Sequence, residues 1–345
     1  MNSFERILAT AQGASVDRRP FSLLLSLYGA GIINAPLKEY YSNSDLYYEG
    51  QCAAYETFKP DFIYAPFSVP LLGAAFGSEL KYFEDFPPNL RKPAFSDPGD
   101  ILKLPPPKVE NFPQLNYFLD IVRKLSSKYS NQVPVSAITL SPVDLPIVLF
   151  GLDKWLEIVL FDKEATKKVL DYTIPFCLDF NASLLENGAT FLVIPPVFLN
   201  PSIVTKEIVE RFLPIINTFN SETKGYIINH SGGTKYLPFL ELYKDSPNTI
   251  AYVVSANEDL KIARNKLGPN KVLAGNIDGP ELINLSSEKI YNKTIDILDQ
   301  MQDDPYFIFA TSNADIPIKT PIEKIKMIKE AIKEKGRIVS GRTKN

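Results

Sequence analysis

The 345-residue chain carries 37 basic against 40 acidic side chains, a formal net charge of −3, and 45% apolar residues. That balance can build a sizeable core, and it argues against a disordered chain or a nucleic-acid binder, which needs a basic face. Two cysteines, Cys52 and Cys177, each in a helical stretch, exclude a disulfide scaffold and a Cys-rich zinc module.

The opening "MNSFERILATAQGASVDRRP" lacks the apolar core of a signal peptide, and no apolar run of about 18 residues follows it. The expectation is a soluble, cytoplasmic protein with reduced, buried thiols. In chain order, eight short apolar runs then stand out. They are "PFSLLLSLYG" from Pro20, "PDFIYAPFSV" from Pro60, "PVSAITLS" from Pro134 and "ATFLVIPPVF" from Ala189. The second half adds "GYIINHSG" from Gly225, "TIAYVVSA" from Thr249, "KVLAGNID" from Lys271 and "YFIFATSN" from Tyr306. Near-continuous apolar runs of this length predict strands of a parallel sheet covered on both faces.

Most runs are followed by a helical pattern. "DKEATKKVLDYTIPFCLDFNASLLENGA" reads as a helix kinked or interrupted at Pro175. "NEDLKIARNKLG" should end at Gly268, and "SSEKIYNKTIDILDQM" is a second clear helix. "TPIEKIKMIKEAIKEKG" should begin with Thr320 as N-cap and Pro321 in its first turn, and end at Gly336 before a frayed basic tail. A proline-rich stretch at about 87–113 reads as an excursion between the second and third strands, of the kind that lines an active-site mouth.

Eight strand–helix units predict an α/β fold, a single (β/α)8 TIM-barrel domain over residues 1–345. A doubly wound open sheet is the alternative, but no glycine-rich nucleotide turn follows the first strand. Barrels carry their chemistry at the carboxyl ends of the strands. That rule selects Tyr28, Tyr64, Phe67, Ser141 and Asp144 from the first three strands. The fifth to eighth supply Asn229, His230, Ser231, Ser255, Asn257, Glu258, Asn276, Asp278, Ser312, Asn313 and Asp315.

His230 is the only histidine in the chain. It suits acid–base work near neutrality, or is a loop histidine bonded to neighbouring backbone. Asn229 and Asn313 can donate hydrogen bonds to a substrate oxygen or brace loops. Asp278 can bind a ligand or cap the following helix, and Asn276 serves either purpose. Asp315, His230 and Asp278 would together offer three metal ligands from three loops. The expected catalytic set is His230, Asn229 and Asn313. Tyr28, Tyr64, Phe67, Asp144, Ser231, Asn257, Asn276, Asp278, Ser312 and Asp315 are expected to contact substrate. The many Tyr and Phe at strand ends suit a flat or methylated molecule rather than a highly charged one.

Five stretches carry a resemblance that spans nearly the whole chain in order. They are "ERILATAQGASVDRRP", "LSPVDLPIVLFGLDKWLEIVLFDKEATKKVLD", "LLENGATFLVIPPVFLNPSIVTKEIVERFLPI", "KLGPNKVLAGNIDGPELI" and "TPIEKIKMIKEAIKEKG". Together they resemble the uroporphyrinogen decarboxylase superfamily, and within it the corrinoid-dependent methyltransferases. The resemblance implies an enzyme moving a methyl or one-carbon group between a small molecule and the cobalt of a separate corrinoid protein. The corrinoid (methylcobalamin) would come with that partner, since no "DxHxxG" segment occurs in this chain.

Decarboxylases of the family carry arginines after the first strand for their substrate's carboxylates. Here "SLYGAGIINAPLKEY" has none, which sets that reading aside. Methyltransferases acting with coenzyme M bind zinc through a His-x-Cys pair at the fifth strand and a Cys after the eighth. Those positions align with Asn229, Ser231 and Ala314, so no zinc is expected. On this alignment His230 falls on the variable middle position, which argues against its pointing into the barrel. Pro195-Pro196 stands where the family often has an acidic residue. Without a zinc-activated thiol, the donor or acceptor can be a pterin or a halogenated or methoxylated compound. The alternatives are a non-catalytic, accessory protein binding a small molecule or corrinoid on the same scaffold, and a small-substrate lyase, hydrolase or decarboxylase.

Overall fold

All eight apolar runs form strands, because only a sheet covered on both faces buries runs without polar alternation. A computed structural model describes residues 1–335; Gly336 and the basic tail lie outside the described residues. The strands are β1 Phe21–Ser22, β2 Ile63–Tyr64, β3 Glu79–Lys81, β4 Asn89–Lys92, β5 Val135–Ile138, β6 Phe191–Ile194, β7 Tyr226–His230, β8 Thr249–Val253, β9 Val272–Asp278 and β10 Phe307–Ser312. Eight are ordered β1-β10-β9-β8-β7-β6-β5-β2, and every pairing among them is parallel. The sheet curls until its two edges meet, where the Asp61 N–H donates to the Phe21 carbonyl at 2.8 Å. The result is the expected (β/α)8 TIM barrel.

Alternation along each strand divides the core into two layers. The inner layer holds Phe62, Tyr64, Phe191, Val193, Ile228, Val253 and Ile308, with Ala251, Ala274 and Ala310. The outer layer, under the helices, takes the intervening residues, among them Ile63, Leu192, Ile227, Tyr252, Leu273, Ile277 and Phe309. Aromatic rings from β2 and β6 fill the space left by alanines on β8, β9 and β10, so the barrel is packed rather than hollow.

Three local expectations are corrected. The helix Lys163–Glu186 runs through Pro175 without a break. Its buried Phe176 packs on Phe76 and Phe112, and that burial outweighs one lost backbone hydrogen bond. Thr320 does not cap the last helix, which starts at Ile322; its hydroxyl has no hydrogen-bond partner. The excursion begins earlier than the prolines show, with an antiparallel hairpin of β3 and β4 followed by 3-10 turns at Pro98–Lys103, Val109–Asn111 and Pro113–Leu115. An ion pair from Asp85 in the hairpin to Lys319 after β10 places it beside the carboxyl-terminal end of the barrel. No helix of the described residues is long and apolar enough to cross a membrane.

At the opposite end a single buried carboxylate closes the barrel. Asp61 is fully buried and accepts from the Ser3 hydroxyl, from Arg6, from both Arg18 nitrogens and from the Phe21 N–H at 2.9 Å. It therefore ties the N-terminal helix Ser3–Ala11 and β1 to the start of β2. Asp61→Ala would leave two guanidinium groups and a backbone N–H short of a partner. It is expected to cost about 3–5 kcal/mol, measured as a shift of the denaturant midpoint. A loss under about 1 kcal/mol would mean that water replaces the carboxylate, as at a surface pair.

Candidate active site at the carboxyl-terminal mouth

Strand alternation decides which polar side chains reach the mouth. On β7, Ile228 belongs to the inner layer and Ile227 to the outer one. His230 therefore faces the barrel interior, whereas Asn229 and Ser231 face the helices. This corrects the alignment-based expectation that His230 points away. Asn229 instead borders a cavity of about 20 Å³ behind the sheet, shared with Ser141, Asp144 and Tyr243.

His230 is 2% exposed, and its Nδ1 accepts the Gly232 N–H at 3.0 Å. Burial pushes its pKa down to about 4, so the ring is neutral at physiological pH. With Nδ1 acting as acceptor, the ring proton belongs on Nε2, which makes His230 a hydrogen-bond donor toward the mouth. General-base chemistry is disfavoured, since the basic nitrogen is already occupied. The Phe67 ring packs edge-on against this imidazole at 5.3 Å and against Tyr64 at 6.0 Å. Phe67 follows β2, three strands from β7 in the barrel order, so its ring lies across the mouth.

The loop after β7 also reaches over the opening. Gly232 and Gly233 have φ of 62° and 85°, a left-handed pair that other residues rarely adopt. A side chain at Gly233 would begin 3.3 Å from the Asn313 carbonyl oxygen after β10. The two glycines thus permit a close crossing from β7 to β10.

Most other sequence candidates are engaged in holding loops. Asn313 accepts from the Ser255 hydroxyl at 2.9 Å, and Asn276 donates to the Ser255 and Glu258 carbonyls at 2.9 and 2.7 Å. Glu258 in turn accepts the Tyr236 and Leu237 N–H groups, both at 2.6 Å. Tyr28 starts the short helix Tyr28–Ile32, and its hydroxyl donates to the Thr320 carbonyl rather than facing a ligand. Asp144 accepts the Phe198 N–H at 2.6 Å and the Ser141 hydroxyl; burial raises its pKa to about 6. Asp315 accepts the Leu27 N–H at 2.9 Å, and burial raises its pKa to about 7. Asn257 is exposed in the loop after β8.

Four candidates keep a buried polar atom without an internal partner: Asn229 and Ser231 on the helix side of β7, and Asp278 and Ser312 on the inward side of β9 and β10. The Ser312 hydroxyl and Asp278 Oδ1 are sealed from solvent and have no hydrogen-bond partner among the described residues. Sequence reasoning missed Ser22 and Ser26 at the end of the first run. Ser22 bonds the Tyr64 hydroxyl at 2.7 Å; Ser26 accepts from the Tyr47 hydroxyl and the Phe67 N–H, both at 2.9 Å. The signal was present as two serines four residues apart, on one face of an extended chain, in "FSLLLS", masked by the leucines between them.

A zinc–thiolate centre does not fit these residues. Ser231 faces the helices, position 314 is alanine, and Cys52 and Cys177 are buried in the outer layer. Among the described residues no three His, Cys, Asp or Glu side chains gather as a metal-ligand group, so His230, Asp278 and Asp315 do not form one. The inward positions of the eight barrel strands include no Lys or Arg, from Ser22 on β1 to Ser312 on β10. A groove of about 720 Å³ lined by Tyr41, Tyr82 and Tyr117 lies outside the barrel and touches none of the sequence candidates.

Eight parallel strands closed into a barrel, with polar side chains gathered at their carboxyl ends, define a TIM-barrel protein with its candidate site at the mouth. The profile of the uroporphyrinogen decarboxylase (URO-D) family matches residues 2–335, and the chain belongs to that family. No curated protein matches it by sequence. Among solved structures it is similar to a methyltransferase from Methanosarcina mazei, with a TM-score of 0.81 and 18% identity over 97% of this chain and 99% of that one. A B12-independent methionine synthase from Shewanella sp. W3-18-1 gives a TM-score of 0.46 and 11% identity over 63% of this chain and 67% of that one, too low to bear on the site.

The lone histidine gives a test of the geometry. Its folded pKa of about 4 lies below the ordinary value of 6.5, so between these values the unfolded chain binds the extra proton. Stability from this source is whole above pH 6.5 and falls as the pH drops to about 4, by about 3 kcal/mol in all. His230→Asn keeps an acceptor for Gly232 and cannot titrate. It is expected to lose less stability than the wild type across that window in urea titrations, whereas parallel profiles would place His230 in water.

Proposed function

We propose that the protein moves a methyl or other one-carbon group between a small, uncharged molecule and the cobalt of a separate corrinoid protein, without a zinc-activated thiol. Family membership over residues 2–335 and the fold likeness to a protein described as a methyltransferase support this reading. The observation that carries it is a mouth whose inward strand positions hold no Lys or Arg. A substrate bearing several carboxylates would find no cation among the inward strand positions, so the family's decarboxylation chemistry has no binding energy to draw on.

Tyr64 and Phe67 offer an apolar, aromatic wall, and His230 Nε2 offers one directed hydrogen bond to an oxygen or nitrogen of the substrate. Such a donor keeps its direction throughout the reaction because Gly232 fixes the ring. The corrinoid is a substrate carried by the partner and would approach over the mouth, between the hairpin β3–β4 and the Gly232–Gly233 crossing. No step is assigned to a metal held by this chain.

The test is methyl exchange between methylcobalamin or purified corrinoid proteins and a panel of thiol, pterin, methoxylated and halogenated compounds, followed by the visible spectrum of the corrinoid. Transfer with at least one pair is expected, unchanged by a chelator and about 100-fold slower in His230→Ala. No transfer with any corrinoid protein would refute the reading. Transfer abolished by chelation and restored by zinc would refute its metal-independent form.

A further inference from the structure

The helix Leu152–Phe161 covers the outside of the barrel and buries Trp155, Ile158 and Val159, with the Trp155 indole N–H donating to the Val143 carbonyl at 2.9 Å. Its other side meets water and is apolar where a surface helix is ordinarily polar. Leu152 is 37% exposed, Leu160 45% and Phe161 82%. Leu152, Leu156 and Leu160 form one stripe at four-residue spacing. Single exposed apolar side chains are common, but a stripe that ends in a projecting ring marks a contact surface.

Beside this helix lies a recess of about 290 Å³ whose apolar lining is Val159, Leu170, Ile174, Phe212 and Ile215. Lys163, Lys167 and Arg211 complete it. Arg211 is held there, donating to the Val159 carbonyl at 2.9 Å with its guanidinium 4.8 Å over the Phe212 ring. Among the described residues the ion pairs here join Lys154 to Glu157 and Lys167 to Asp171, leaving Lys163, Arg211, Asp153 and Glu164 without one. At about 100° per residue, Val159 and Phe161 point to opposite flanks of the helix, with Leu160 outward between them. The recess therefore lies on one flank and the projecting ring on the other.

We propose that this face is the interface of a homodimer. A twofold axis passing over Leu160 exchanges the two flanks, so Phe161 of each copy enters the recess of the other. The same operation carries the acidic groups of one copy toward Lys163 and Arg211 of the other. A second copy is the occupant because ring, recess and unpaired charges of both signs share one face, which makes it complementary to itself. An anionic lipid surface would meet Asp153, Glu157 and Glu164 as well as the cations, which disfavours it. No residue of the mouth takes part, so the dimer does not rest on the proposed methyl transfer.

Sedimentation equilibrium of the full chain over about 1–100 μM, a range suited to a modest interface, tests this. The wild type is expected to dimerise reversibly. Phe161→Asp, which removes the projecting ring, and Ile215→Lys, which fills the recess, should each weaken the dimer by about tenfold or more. Phe86→Asp, at a ring 63% exposed on the hairpin, should leave it intact. Circular dichroism checks the fold of each variant, and the exposed Phe161 position carries the test if Ile215→Lys unfolds. A wild type that stays monomeric, a dimer that survives Phe161→Asp, or one weakened equally by Phe86→Asp would overturn the proposal.

Discussion

A strand in a closed parallel barrel gives each side chain one of two directions, and the ladder to its neighbours fixes which. On β7 that choice is made by pairing with both sides at once. Asn229 sits opposite Ile194 and Tyr252, and His230 opposite Val253. A slip of one residue would put Asn229 and Ser231 inside and turn the imidazole toward the helices. Register is therefore the constraint from which the site follows: the histidine inside and its neutral charge state. The packing that holds the register is the interlock of Phe62, Tyr64 and Phe191 with the alanines of β8, β9 and β10.

The two ends of the barrel differ in electrostatic character. At the amino-terminal end charges are paired: buried Asp61 with Arg6 and Arg18, and exposed Asp17 with Arg6, whose guanidinium holds the Asp17 carboxyl well below the usual range. Arg19 is nearly buried and donates to the Met301, Asp304 and Phe307 carbonyls, joining β1 to the approach of β10. These cations close the barrel and are remote from any substrate. At the mouth, the titratable groups are shifted toward their neutral forms by burial, downward for His230 and upward for Asp278 and Asp315. An aromatic mouth with no Lys or Arg at its inward strand positions discriminates by shape and by one or two directed hydrogen bonds, which suits a small molecule.

The barrel was legible because its signal is hydrophobic and repeated eight times; each run from Pro20 to Tyr306 became a strand. The hairpin β3–β4 was not, since two exposed strands of three and four residues with Glu79, Lys81, Arg91 and Lys92 carry no apolar alternation. Site residues were partly legible. The strand-end rule selected His230 and Phe67, which pack together at the mouth, yet it could not tell them from Tyr28, Asn276 and Asn313, whose polar atoms are taken up by neighbouring backbone or side chains. Motif alignment misjudged the direction of His230 because a run of identical-looking apolar residues does not reveal its phase. Only the layer membership of Ile227 and Ile228 does.

The central claim is that a neutral, metal-free imidazole donates a hydrogen bond into the mouth. One histidine in the chain makes its 15N spectrum unambiguous. With 15N-labelled histidine, the ring nitrogens followed from pH 8 to pH 5 should show a protonated Nε2 and a bare Nδ1 throughout, unchanged by added zinc. A ring that titrates near 6.5, carries its proton on Nδ1, or shifts on stoichiometric zinc would contradict the claim.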